Sequence, residues 1–204
     1  MLINVRKLKA AAIAGGDEET RYYLQGVYIE PMRDDIRLTG TNGHVLICAR
    51  QDYHDDDGLT ARPAPFIMPA DLIVKIKLTK KHGLKTFAAV TFDQATLHIT
   101  IEFDGATYGA KAIDGTYPNY RNVIPAEAPT PAEPGHYDSK YLAALDKAAV
   151  LLGAPRAVIA QAGESPALVK LGDADAFGVL MPLRADKCVP LQRRPAWADE
   201  RPAG

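Results

Sequence analysis

Residues 21–50, RYYLQGVYIEPMRDDIRLTGTNGHVLICAR, constrain the fold more tightly than any other stretch of the chain. Small or apolar residues recur at every second position, at Tyr22, Leu24, Gly26 and Tyr28 and again at Ile36, Leu38, Val45 and Ile47. That is the period of strands buried on one face. Between the last two runs lies Thr41-Asn42-Gly43-His44. An Asn-Gly pair flanked by alternating hydrophobics predicts a tight hairpin, because both residues tolerate positive φ. The stretch is therefore expected to form three adjacent strands with a rigid turn.

The same pattern recurs along the chain. Residues 1–3 predict a short strand, and Asn4 can cap a helix over 5–14 that Gly15-Gly16 ends, before the three strands just described. Residues 66–68 predict another short strand, and Pro69 suits the first position of a second helix. Leu72, Ile73 and Ile76 give that helix its buried stripe, and it is expected to end at His82-Gly83. Alternating runs over 87–92, 96–103 and 106–113 follow, with Asp104-Gly105 as a turn. A third helix is expected from a cap at Asp138 or Ser139 to Gly153, with Tyr141, Leu145, Ala148 and Leu152 on one face, then strands over 157–161, 167–171 and 176–183.

Helix starts near Val5, Pro69 and Ser139 recur about every 65 residues, the mark of an internal repeat of strand, helix and three strands. Proline-rich residues 125–134 divide a domain over 1–125 from a half-domain over 126–184, and the unpatterned segment 185–204 is expected to be a mobile tail. One unit cannot bury its faces alone. The third, lacking a mate in the chain, is expected to expose a sheet edge and the helix face of Tyr141, Leu145 and Leu152, and so to favour oligomers.

With 47% hydrophobic and 24% charged residues, the chain has ordinary globular composition, and its formal net charge of −1 excludes a general polycation. Any affinity for nucleic acid must come from uneven placement of charge. Cys48 and Cys188 have neither zinc-site nor disulfide-framework spacing. No apolar run is long enough for a signal peptide or a membrane span, so a cytoplasmic location is expected. His54 precedes Asp55, Asp56 and Asp57, but no second His stands at ligand spacing, and a solvated loop is the better reading. No nucleophile elbow and no phosphate-binding glycine loop occur; Gly15-Gly16 ends a helix rather than starting one. Neither an enzyme nor a cofactor is expected.

Basic residues gather on the helices: Arg6, Lys7 and Lys9 on the first, Lys75, Lys77, Lys80 and Lys81 on or just after the second, Lys140 and Lys147 on the third. Acidic residues concentrate in loops, at Asp17-Glu18-Glu19, Asp34-Asp35 and Asp55-Asp56-Asp57. By charge count alone, these are solvated helix faces.

Four segments carry a family resemblance: RYYLQG (21–26), TNGH (41–44), YPNYRNVIP (117–125) and VLMPLR (179–184). The first three resemble the second domain of the bacterial sliding clamp, the β subunit of DNA polymerase III, although that family usually has Asp at the position of Asn42. The last resembles the end of its third domain. Residues 1–125 and 136–184 are covered; the family's first domain and the first half of its third have no counterpart. The resemblance implies an α+β DNA clamp fold, with paired helices on antiparallel sheets and the helix cations holding phosphates without reading sequence. It also implies a hydrophobic pocket for short partner peptides at Leu24, Thr41, Gly43, His44, Leu46, Pro125, Val179, Met181, Pro182 and Leu183. Such an apolar concavity suits aliphatic and aromatic anchors.

The resulting expectation is a noncatalytic sliding-clamp-like processivity factor that holds duplex DNA non-specifically and tethers polymerase and clamp-loader proteins. By the resemblance, a ring contains twelve units where this chain supplies three, so a dimer or tetramer is expected. A second reading is an adaptor or decoy that binds partner peptides without encircling DNA. A hydrolase built on the His54 run is the weakest.

Overall fold

A computed structural model describes residues 1–53, 62–127 and 134–184. The His54–Asp57 run and the tail over 185–204 lie outside the described residues. The first unit comprises β1 (Leu2–Asn4), α1 (Val5–Ile13), β2 (Gly26–Pro31), β3 (Asp35–Thr41) and β4 (Val45–Asp52). The second comprises β5 (Phe66–Pro69), α2 (Ala70–Lys75), β6 (Phe87–Asp93), β7 (His98–Phe103) and β8 (Ala106–Lys111). The third contributes α3 (Ser139–Leu151), β9 (Val158–Ile159), β10 (Ala167–Lys170) and β11 (Ala176–Leu180). Local chemistry sets the helix starts. The Asn4 side chain accepts from the amides of Arg6 and Lys7 at 3.0 and 3.1 Å, and Asp138 caps α3 through the Lys140 amide at 2.9 Å.

Each of the first two units donates its leading strand to the other. One sheet runs β1-β6-β7-β8, and the second runs β5-β2-β3-β4-β11-β10-β9, all pairs antiparallel. The exchange makes the two units interdependent, and their shared core includes Ile3, Leu8, Ile29, Leu38, Met68, Leu72, Val90 and Ile101. Gly40 lets α1 lie directly on β3, since a Cβ there would sit 2.0 Å from the Ala11 carbonyl oxygen.

The third unit departs from expectation. Its β11 pairs with β4, from Ala176 opposite Ala49 to Leu180 opposite Val45, and α3 packs on α1. Leu145 (0% exposed) and Leu152 (7%) are therefore buried within the chain, in a core with Ala10, Ala14, Ile47 and Leu180. Tyr141 stacks on His44 with ring centroids 5.5 Å apart. The helix face expected to seek a partner chain is covered by the first unit, because small residues on α1 allow α3 to approach closely. What stays open is the edge at β9, where Val158 is 63% exposed.

Three local expectations are also corrected. Residues Glu19–Leu24 form a 3-10 helix rather than the start of a strand. A Glu18–Arg21 ion pair three residues apart (2.8 Å) and the Gln25 amide on the Tyr22 carbonyl (3.0 Å) stabilise that turn. Pairing with β5 begins only at Gly26, where a Cβ would meet the Met68 carbonyl oxygen at 2.4 Å. Second, α2 ends at Lys75 rather than His82-Gly83, with Ile76 extended and fully buried. The β-branched Ile73, Val74 and Ile76 are weak helix formers, and tertiary burial claims the last of them. Third, the β3–β4 connection is the three residues 42–44, and among its non-glycine residues none has positive φ. The Asn42 carboxamide oxygen accepts from the amides of His44 (2.9 Å) and Val45 (3.1 Å), doing with a side chain what a second positive-φ residue would do in a two-residue turn. Gly43 alone takes φ +89.

Candidate functional site

Strand β4 is buried on both faces. Val45, Ile47 and Ala49 face the helices, while Leu46 and Cys48 join Leu24, Ile67, Tyr117, Tyr120 and Val179 on the opposite face. The cover on that side is the segment YPNYRNVIP. Tyr117 stacks flat on Tyr28 at 4.8 Å, and its hydroxyl donates to the Thr39 carbonyl at 3.2 Å. Tyr120 opens a 3-10 helix, Tyr120–Val123, and donates to the Glu30 carboxylate at 3.0 Å; Arg121 donates to the same carboxylate. Burial raises both phenols, Tyr120 to about 12 and Tyr117 further still, so both are hydrogen-bond donors across the physiological range. Burial likewise pushes the Cys48 thiol up, which suits a core residue rather than a nucleophile.

Between this cover, the 3-10 helix Glu19–Leu24 and the end of β11 lies a cavity of about 250 Å³. Of the expected pocket residues, Leu24, Thr41, Gly43, His44, Leu46, Val179 and Met181 line it together. Register brings them there: Val179 pairs with Leu46, and the Met181 amide donates to the His44 carbonyl at 2.9 Å. Pro125 lies instead on an adjoining cavity of about 350 Å³ that shares Val123 and Met181. Pro182 and Leu183 line neither; the chain turns away after Met181, and the Leu183 amide donates to the His136 carbonyl at 2.7 Å. Arg21, Tyr23, Val45, Pro118, Asn119, Tyr120 and Val123, absent from the expected set, complete the wall. All but Val45 belong to RYYLQG or YPNYRNVIP, so the segments carry a signal for the site that the sequence reading does not resolve to these side chains.

A second cavity, of about 410 Å³ and more polar, adjoins the first and shares Arg21, Leu24, His44 and Val45 with it. Asp17 and Glu18 stand on its rim with Lys140, and the His44–Tyr141 stack forms part of its wall.

The helix cations do not form one set. Lys7 is 8% exposed; its ammonium lies 3.2 Å from Asp173 and 3.8 Å from Asp175 and donates to the Arg50 carbonyl at 2.8 Å. Arg6 reaches the carbonyls of His82, Gly83 and Leu151, clamping α1 to the second unit and to the end of α3. Lys9 donates to the Ile73 carbonyl at 3.0 Å, and burial lowers its pKa. These three of the expected phosphate ligands serve the fold. Lys75, Lys77, Lys80 and Lys147 are exposed, Lys81 pairs with Asp104 at 2.8 Å, and Lys140 lies over the Tyr141 ring at 4.6 Å. Among the described residues no group of three or more His, Cys, Asp or Glu side chains could hold a metal, and no helix is long and apolar enough to cross a membrane.

Comparison with known proteins decides the family. The profile of the DNA polymerase III beta subunit central domain matches residues 4–119, more than half of the chain. The chain belongs to the DNA polymerase III beta subunit family. It is 28% identical over 127 residues to the beta sliding clamp of Caulobacter vibrioides, covering 60% of this chain and 32% of that one. It is 30% identical over 112 residues to the beta sliding clamp of Borreliella burgdorferi, covering 54% and 26%. The chain thus spans about a third or less of the length of these relatives. Among solved structures, it superposes on the Caulobacter crescentus pol III beta with a TM-score of 0.69 at 22% identity, covering 90% of this chain and 65% of that one. The Bartonella birtlesii sliding clamp, solved bound to griselimycin, gives 0.66 at 19%, covering 90% and 65%. The fold is accordingly the α+β sliding-clamp fold of this family, built from helices and antiparallel sheets.

Proposed function

We propose that this chain is a noncatalytic clamp-type tether whose apolar groove captures short peptide segments of replication proteins such as a polymerase or clamp loader. The supporting observation is convergence: Leu24, Thr41, His44 and Leu46 from the first unit meet Val179 and Met181 from the third around one cavity of about 250 Å³. Such a volume suits two or three large apolar side chains, with His44, Asn119 and the Arg21 guanidinium offering polar contacts at the rim. Titration of the whole chain with a peptide carrying a glutamine and two or three large apolar anchors, followed by calorimetry, tests the reading. Saturable binding is expected. Absence of heat both for the intact chain and for a chain ending at Arg184 overturns it.

Non-specific retention of duplex DNA is the second half of the proposal, and it rests on the exposed lysines after α2 and on α3. Three units do not make a twelve-unit ring, so encirclement requires association through free strand edges such as β9. Light scattering at tens of micromolar protein checks this, with a dimer or larger species expected. A specific observation favours the adaptor reading instead: Arg6, Lys7 and Lys9 hold protein groups rather than facing a channel. A monomer that binds peptide but is not retained on circular DNA would select that reading.

A further inference from the structure

The groove has two kinds of wall. On one side Leu46 pairs with Val179 and the Met181 amide donates to the His44 carbonyl, so the ladder fixes their places. On the other, Asn119, Tyr120 and Val123 belong to no strand. They sit in and just before one 3-10 turn whose own hydrogen bonds are long, 3.3 Å from the Asn122 amide to the Asn119 carbonyl and 3.2 Å from the Ile124 amide to the Arg121 carbonyl. Such a turn has to be held from outside. Glu30, on β2, does this with a side chain that is only 13% exposed. Its carboxylate accepts from two successive residues of the turn, from the Tyr120 hydroxyl at 3.0 Å and from Arg121. Arg121 also lies over the Tyr120 ring at 4.7 Å, and Arg37 faces Glu30 across the β2–β3 ladder. Thr39 and Cys48 stand close to the same hydroxyl and share in holding it.

We propose that Glu30 is a positioning residue for the groove: without touching it, the carboxylate pins the Tyr120–Val123 turn and keeps the Val123 wall in place before any ligand arrives. Glu30 and Arg121 line no part of the cavity. The Arg37 that faces Glu30 stands four residues along β3 from Thr41, about 13 Å away from the groove row. A wall fixed in advance does not have to be ordered on binding, so the cluster raises affinity without adding a contact. It also keeps the width of the groove constant, and with it the size of the anchors that fit. The inference rests on the groove reading above.

Methyl spectra and calorimetry on the whole chain test it. In Glu30→Ala, the Val123 methyl signals are expected to move or broaden while that of Met181, held by the ladder, stays. A synthetic peptide with three large apolar anchors is expected to bind this variant about threefold to tenfold more weakly, the cost of ordering one or two side chains on binding. Glu30→Gln keeps an acceptor oxygen at the same reach and is expected to restore the Val123 signals and most of the affinity. A residue that only stabilised the fold would lower the unfolding midpoint and leave the folded chain's Val123 signals and peptide affinity unchanged. Arg121→Gln, at a side chain 41% exposed and outside the groove, is expected to move the Val123 signals by a smaller amount. Val123 signals unmoved in Glu30→Ala, or in Arg121→Gln where the first variant does not fold, overturn the proposal. Moved Val123 signals with unchanged peptide affinity also overturn it and leave the groove reading standing. No peptide binding by the unaltered chain overturns the groove reading, and the proposal with it.

Discussion

The two faces of the extended sheet treat their expected functional residues differently. On the groove face, residues from distant segments converge on one cavity, whereas on the helix face the expected cations separate into a buried, an engaged and an exposed group. The expected residues on the cavity are mostly apolar, and those in or beside β3, β4 and β11 have their neighbours determined by ladder register. A lysine on a helix can instead reach outward to solvent or inward along its own stem to a carbonyl, and the repeat pattern does not say which.

The sharpest test of the contrast is on the groove. Leu24→Ala with Met181→Ala should weaken peptide binding by about 2 to 4 kcal/mol, roughly thirtyfold to thousandfold, by calorimetry. The same double variant should leave DNA retention unchanged; equal losses of both would mean that the two faces are not independent.

Lys7→Ala probes the other side of the contrast. It should lower unfolding free energy by about 1 to 3 kcal/mol in urea titrations, because it leaves Asp173 and the Arg50 carbonyl without their cation. Were Lys7 a phosphate ligand, the loss would fall on DNA binding and spare stability. For the exposed group, reversing Lys75, Lys77 and Lys80 to Glu should reduce the slope of log affinity against log salt by about 0.9 for each phosphate contact removed. An unchanged slope would take these lysines out of the DNA surface.

The smallest effect concerns pH. Tyr120, Tyr117 and Cys48 line or back the groove wall, and burial raises all three. Their neutral forms therefore stabilise the fold fully below the ordinary thiol and phenol values, and this contribution declines as pH rises above about 9 and toward the Tyr120 value of about 12. Thermal melts should show the midpoint falling from about pH 9 upward, less steeply in Tyr120→Phe. A midpoint flat to pH 11 would mean that these groups titrate alike in both states.

Much of the architecture was legible in the sequence because it is local. Asn4 and Asp138 cap helices through their own nearest amides, and the alternation of Ile36, Leu38, Val45 and Ile47 marks strands whatever lies against them. Of the ten expected pocket residues seven line the cavity, and six of those stand in the family segments, whose register carries them; Leu46 stands two residues past TNGH. Pro182 and Leu183 could not be separated from Met181 that way, because the chain turns off the ladder immediately after it.

The choice of partner elements was decided only in three dimensions. The exchange of β1 and β5 between units, and the pairing of β11 with β4, join segments far apart in the chain, and an alternating pattern is equally satisfied by any neighbour. For that reason the α3 face carrying Leu145 and Leu152 looked unpartnered in the sequence yet is buried against Ala10 and Ala14. The same holds for charge: the order of residues put Arg6, Lys7 and Lys9 on a helix, but the approach of Asp173, Leu151 and Ile73 from elsewhere in the fold determined that they would bind protein.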